Sequence, residues 1–266
     1  NHPCEVIESI DSERIFNGAS DIQLLENIRF FKGEKENSKD LGTKLANLGD
    51  MYVFDAFGTA HREQASTHSA IQNSSVACAG FLLERENEFL SQALNSYGRP
   101  YIAVIGGAKV STKLELIKHI NKVADHIIVG GGIANTFLKA SGSDIGTSLV
   151  EDSMIDVAKE LLDKGKIILP KKVITSSTFE GADIKETLAD KVSNDEMILD
   201  LHLEEETISL IHNANTILWN GPMGVFENEA FAKGTKDLSE AIASSSAFSL
   251  AGGGETLAAI NKYIKS

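Results

Sequence analysis

Along the chain, short apolar runs alternate with stretches whose apolar residues recur every three to four positions. The runs predict strands over residues 22–25, 51–54, 101–105, 126–129, 166–169, 216–219 and 247–250. The helical spacing predicts helices over 38–48, 80–95, 112–123, 133–140, 152–163, 204–212, 230–243 and 256–264. Strands alternating with helices build βαβ units, and those units build a parallel sheet with helices on both faces. The strand runs are continuously apolar, which suits a sheet buried on both sides. The predicted class is therefore α/β with mostly parallel strands.

The helix over 80–95 is long and charged, and it runs into Ser96-Tyr97-Gly98-Arg99-Pro100. Gly and Pro there supply a helix stop and a turn. Beyond that point the βα alternation becomes regular. This places a first domain over 1–79, a connector or hinge helix over 80–98 and a second domain over 99–266. The first domain holds only about two strands' worth of apolar runs, too few to close a sheet.

Composition narrows the partners. Hydrophobic residues make up 42% of the 266 and charged residues 24%, which is globular rather than disordered or fibrous. No apolar run approaches the ~18–20 residues of a membrane span. The net charge of −13 opposes binding to a phosphate backbone, so small molecules are expected as partners and nucleic acid is not. The two cysteines, Cys4 and Cys78, are too few for a disulfide framework or a zinc cage, and a reducing, cytoplasmic setting is the expectation. The first residue is Asn1 rather than Met, so the chain reads as cut at its start.

The candidate chemistry sits in glycine. Four glycine-rich turns directly follow predicted strands: Gly106-Gly107-Ala108-Lys109, Gly130-Gly131-Gly132, Asn220-Gly221-Pro222-Met223-Gly224 and Gly252-Gly253-Gly254-Glu255-Thr256. In an open parallel sheet all four fall at the carboxyl edge, where ligands bind. Glycine lets backbone N–H groups approach a phosphate, and each following helix adds its positive N-terminal end. One such turn is weak evidence; four on one edge favour a nucleotide cleft. Neither GxxxxGK[ST] nor GxGxxG occurs, which argues against a P-loop protein and a dinucleotide-binding dehydrogenase.

Lys109 and Lys113 are four residues apart where strand turns into helix, so they share a face. A cation at a helix N-terminus is disfavoured by the macrodipole unless an anion is present. Lys109, directly after Gly106-Gly107, reads as functional. For Lys113 a solvated lysine paired with Glu115 or Asp125 is an equal alternative. In the first part, Glu26–Phe30 and Asp55–Arg62 also end strands, and Arg29 and Arg62 are placed toward one edge, as arginine forks suit carboxylate and phosphate. Either motif alone reads as well as a structural Arg–Asp pair, for example with Asp55. His61 is the one histidine inside a motif, no catalytic triad or metal cage is apparent, and Trp219 reads as core rather than as a stacking platform.

Together these residues resemble the phosphoglycerate kinase family. The pieces are LLENIRF (24–30), DAFGTAHR (55–62), IGGAKVSTK (105–113), VGGGIANTFL (129–138), WNGPMGVFE (219–227) and AGGGETLAA (251–259), in the family's order. The resemblance implies two Rossmann-like three-layer α/β/α domains, the first for 3-phosphoglycerate and the second for ADP or ATP with Mg²⁺. It implies reversible phosphoryl transfer from 1,3-bisphosphoglycerate to ADP by a cytoplasmic monomer. By the same resemblance, Arg29 and Arg62 hold the phosphoglycerate, with Asp55 and His61 in the substrate motif. Lys109 follows the transferring phosphoryl group, and Lys113 lies on the nucleotide phosphates; with Arg29 these form the catalytic set. Glu227 contacts the ribose. Gly106, Gly107, Gly131, Asn220, Pro222, Gly224 and Val225 form the cleft walls. Gly253, Gly254, Glu255 and Thr256 form the turn facing phosphate and metal, with Glu255 as the metal residue.

The chain departs from the family pattern in that its match begins inside the first domain and stops at Ser266, before a last glycine loop. Glu255 stands where the family usually has Asp, and Phe54 where Asn is usual. The alternative reading is a nucleotide-binding fragment without efficient turnover.

Overall fold

The computed structural model describes residues 4–8, 10, 21–95 and 98–264. The predicted helix stop at Ser96-Tyr97 lies outside them. The chain divides into two compact units, residues 1–90 and 91–266.

In the first unit, β1 (Cys4–Ile7) pairs in parallel with β2 (Ile22–Leu25), and β3 (Tyr52–Phe54) pairs in parallel with β4 (Ala77–Ala79). Among the described residues there are four short strands here rather than about two, in two separate sheets. β1 (CEVI) and β4 (ACA) were not among the predicted strands: β1 carries a glutamate, and β4 has only small side chains, all exposed. Helix α1 (Lys39–Ala46) starts where the Ser38 hydroxyl accepts the Leu41 N–H, an N-cap. Its face of Leu41, Leu45 and Ala46 packs against a π-helical turn, Ala65–Ser69, that runs into the short α2 (Ala70–Asn73). The helix α3 (Phe81–Asn95) follows, and the division between units falls inside it.

The second unit is built on one five-stranded sheet. Its strands are β5 (Tyr101–Ile105), β6 (His126–Val129), β7 (Ile167–Ile168), β11 (Thr216–Asn220) and β12 (Phe248–Ala251), in the order β12-β11-β5-β6-β7. All neighbours are parallel. Side chains alternate across a strand, so this sheet feeds two cores. Tyr101, Ala103, Ile105, Ile127 and Val129 face α4 (Leu114–Val123), α5 (Gly131–Ala140) and α6 (Ile155–Leu162). Ile102, Val104, Ile128, Ile217 and Trp219 face α7 (Glu205–His212), α8 (Lys233–Ser244) and α9 (Gly254–Tyr263). Trp219 is 1% exposed, a core residue as expected. This is the three-layer α/β/α arrangement with a doubly wound sheet.

The sequence pattern does not reveal a second sheet in this unit. β8 (Lys172–Ser176), β9 (Lys185–Leu188) and β10 (Met197–Leu201) pair antiparallel in the order β10-β8-β9. Charged residues interrupt each run: Lys172, Lys185, Glu186 and Asp200.

Candidate functional site

The carboxyl ends of β5, β6, β11 and β12 carry the four glycine turns, as the parallel order requires. The turns are packed on one another. Gly106 N–H donates to the Asn220 carbonyl at 2.9 Å, and Gly131 N–H to the Met223 carbonyl at 2.7 Å. A Cβ on Gly106 would lie 1.9 Å from the Pro222 carbonyl oxygen, so only glycine allows that approach. Gly131 has φ +60°, the left-handed region that favours glycine at the mouth of α5. Part of the glycine signal therefore reports loop-on-loop packing.

Beside these turns lies a cleft of about 500 Å³. Among the residues expected at the site, Gly107, Gly131, Pro222, Gly224, Val225, Glu227 and Glu255 line it. Glu227 and Glu255 are exposed. Gly253 and Gly254 are exposed at the start of α9, outside that lining. Asn220 and Thr256 brace the edge: Asn220 Nδ2 donates to the Gly252 carbonyl at 2.8 Å. The buried Thr256 hydroxyl donates to the same carbonyl at 2.8 Å and accepts the Gly221 N–H at 2.8 Å.

The two lysines differ. Lys109 is exposed. Lys113 is half-buried, and its ammonium donates to the carbonyls of Gly106 at 2.6 Å and Asn220 at 3.0 Å. It thus ties the ends of β5 and β11 together, rather than pairing with Glu115 or Asp125. Burial holds its pKa below the ordinary lysine value, and the Glu255 carboxylate opposes that shift. The Lys109 loop is held from outside the cleft, where the Glu151 carboxylate accepts the Ser111 N–H at 2.9 Å and the Ser111 hydroxyl. Ser111, with Lys109 nearby, keeps the Glu151 pKa below the usual carboxylate value.

Several lining residues were not singled out by the sequence: Leu149, Phe179 and the whole of β10, Met197 to Leu201. They give the cleft an apolar wall suited to a flat ring. The usable signal was ILDL at 198–201, a strand-sized apolar run carrying one carboxylate.

In the first unit, Arg29, Asp55, His61 and Arg62 are all exposed. Arg29 lies in a 3-10 turn that Asn27 caps, its N–H donating to Asn27 Oδ1 at 3.1 Å. Asp55 Oδ1 accepts the Leu83 N–H at 2.7 Å, capping the first turn of α3. That gives Asp55 a structural task other than the arginine pair considered from sequence. β2 and β3, which lead to Arg29 and Arg62, lie in different sheets among the described residues.

A doubly wound sheet with an apolar cleft against four glycine turns at its carboxyl edge defines the class: an α/β protein of nucleotide-binding architecture. A family profile described as phosphoglycerate kinase matches residues 5–266. The chain belongs to the phosphoglycerate kinase family. It is 48% identical over 248 residues to the phosphoglycerate kinase of Vibrio campbellii, covering 92% of this chain and 64% of that one. It is 46% identical over 280 residues to that of Psychrobacter sp., covering 99% and 70%. The solved phosphoglycerate kinase structure from Coxiella burnetii superposes with a TM-score of 0.84 at 43% identity, covering 97% of this chain and 69% of that one. The chain thus spans about two thirds of the length of its relatives.

Proposed function

We propose that this chain carries the phosphoglycerate kinase reaction, reversible transfer of a phosphoryl group between 1,3-bisphosphoglycerate and ADP to give 3-phosphoglycerate and ATP. The observation that carries the reading is the cleft of the second unit: an apolar wall of β10 faces glycine turns, with a cationic loop at Gly106–Lys113 and carboxylates at Glu227 and Glu255. The base lies against the apolar wall, Glu227 takes the ribose, and the phosphates lie on the glycine turns near Lys109 and Lys113. Arg29 and Arg62 in the first unit take the acid substrate, with Asp55 and His61 in the same motifs. The partners are these small molecules, and the protein acts as a cytoplasmic monomer.

The chemistry asks little of a general base. A terminal phosphate oxygen of ADP, already anionic, attacks the phosphorus of the acyl phosphate, and the 3-phosphoglycerate carboxylate leaves with the bonding electrons. What remains is positioning and charge stabilisation. Lys109, exposed and free to follow the phosphoryl group, neutralises its charge in transit. Lys113 fixes the strand ends on which the phosphates rest. Mg²⁺, when bound with the nucleotide, neutralises phosphate oxygens. Among the described residues no group of three His, Cys, Asp or Glu side chains could cage a metal. One carboxylate suffices for a Mg²⁺ that keeps its waters and shares phosphate oxygens, and Glu255 in the cleft lining fits that part.

A coupled assay of ATP formation tests the reading. Lys109→Ala should lower kcat while leaving ADP affinity within about threefold, because its interaction is made mainly in the transition state. An unchanged kcat would remove Lys109 from the mechanism. ADP binding without detectable turnover by the unaltered chain would favour the alternative of a nucleotide-binding fragment.

A further inference from the structure

One buried ionisable group lines the cleft and has no part in the reaction above. Asp200, near the end of β10, is 1% exposed and belongs to the cleft lining. Its Oδ2 accepts the Gly234 N–H at 2.8 Å, in the first turn of α8, while its Oδ1 is buried without a hydrogen-bond partner. The carboxyl is wedged between two glycines. A Cβ on Gly224 would lie 2.5 Å from Oδ1, and one on Gly234 would lie 2.6 Å from it. Neither glycine has a positive φ, so both positions use glycine for space.

The same corner holds the cleft wall. Val225 N–H donates to the Leu199 carbonyl at 2.8 Å, and Met223 N–H donates to the buried Thr235 hydroxyl at 3.0 Å. The turn that presents Gly224 and Val225 to the cleft is therefore tied both to β10 and to the first turn of α8. Asp200 joins those two supports to each other.

We propose that Asp200 is a positioning residue that fastens the first turn of α8 to β10 and so sets the Gly224–Val225 wall against which the nucleotide lies. The inference rests on the nucleotide reading of the cleft. It explains why Gly224 is glycine: a side chain there would displace the carboxyl that anchors the wall. The charged groups facing Asp200 belong to α8: Asp237, which repels its negative charge, and Lys233, which favours it. These two pair with each other, leaving the carboxyl to its backbone partners.

The test is calorimetric titration of ADP into the 266-residue chain and two variants, each confirmed folded by circular dichroism. Asp200→Ala should raise the ADP dissociation constant at least about fivefold, the low end for leaving the buried Gly234 N–H without its acceptor. Asp200→Asn, which keeps shape and acceptor, should stay within about threefold of the parent. Where turnover is measurable, Asp200→Ala should raise KM for ADP far more than it lowers kcat. Unaltered ADP affinity in Asp200→Ala, or a loss confined to kcat, overturns the proposal and leaves the nucleotide reading intact. No ADP binding by the parent chain removes the nucleotide reading, and this inference with it. Should Asp200→Ala not fold, hydrogen exchange on the parent decides. ADP should slow exchange at the Gly234 amide together with Val225, since coupling between sites is reciprocal. Protection of Val225 alone would refute the link.

Discussion

Lys113→Met separates the two lysines that the sequence places side by side. The Lys113 ammonium donates at 2.6 Å to the Gly106 carbonyl and at 3.0 Å to the Asn220 carbonyl, at the ends of two neighbouring strands. Methionine keeps the length of the side chain and removes both donors. The Asn220 carbonyl retains the Gly106 N–H at 2.9 Å, but the Gly106 carbonyl keeps no partner among the described residues. A hydrogen bond to a charged group contributes about 1.5–3 kcal/mol. Two such bonds, less the recovered cost of burying an ammonium that already sits below its ordinary pKa, leave a net loss of roughly 2–3 kcal/mol. In a unit of this size that lowers the melting temperature by roughly 4–12 °C. Lys109→Met at an exposed position is the control and should move it by no more than about 2 °C. Thermal unfolding followed by circular dichroism, without ligand, is the assay. Equal melting temperatures for the two variants would refute the argument that Lys113 holds the sheet edge together.

Three further outcomes follow from the same geometry. Burial raises the Asp200 pKa from 3.8 to about 7, so folding retains a proton that the unfolded chain releases, and the group's penalty grows as pH rises through that window. Asp200→Asn should therefore gain stability over the parent between pH 5 and 8 in urea titrations, by on the order of 4 kcal/mol at most, and a constant difference would contradict the shift. Gly106→Ala places a Cβ 1.9 Å from a carbonyl oxygen and should cost about 3 kcal/mol or more in denaturant unfolding, whereas Gly254→Ala, with nothing within 4 Å, should stay within about 0.5 kcal/mol. Glu255→Gln should weaken binding of Mg²⁺-ADP more than of free ADP by calorimetry, and equal losses would make Glu255 only a helix N-terminal acid favoured by the dipole.

The parallel sheet of the second unit was legible because four of its strands, β5, β6, β11 and β12, are apolar runs of four or five residues that run into glycine turns, while the two-residue edge strand β7 lies inside the apolar run 166–169. Burial on both faces writes that pattern directly into the sequence. β8, β9 and β10 were not legible, because β9 is largely exposed and polar, the β8 run is short and bounded by lysine and serine, and a carboxylate interrupts β10. The cleft was therefore seen from its glycine side only, and its apolar wall was missed. Asp200 shows the physical reason most clearly: a carboxylate breaks the apolar run of its strand, yet it is nearly fully buried because two glycines make room for it. Glycine likewise overstated the direct contacts, since Gly106 answers to the Pro222 carbonyl and Asn220 and Thr256 answer to Gly252. In the first unit, Asp55 shares a motif with Arg62 in sequence, but its partner is the start of a helix twenty-eight positions on, which no local pattern discloses.

The central claim is that the nucleotide site resides in residues 91–266, where a single five-stranded sheet supports a formed cleft, while the first unit has two small sheets among its described residues. Separate calorimetric titrations of ADP and of 3-phosphoglycerate into the 266-residue chain address it directly. The account predicts saturable binding of one ADP per chain. Retained binding of 3-phosphoglycerate with no binding of ADP would contradict it.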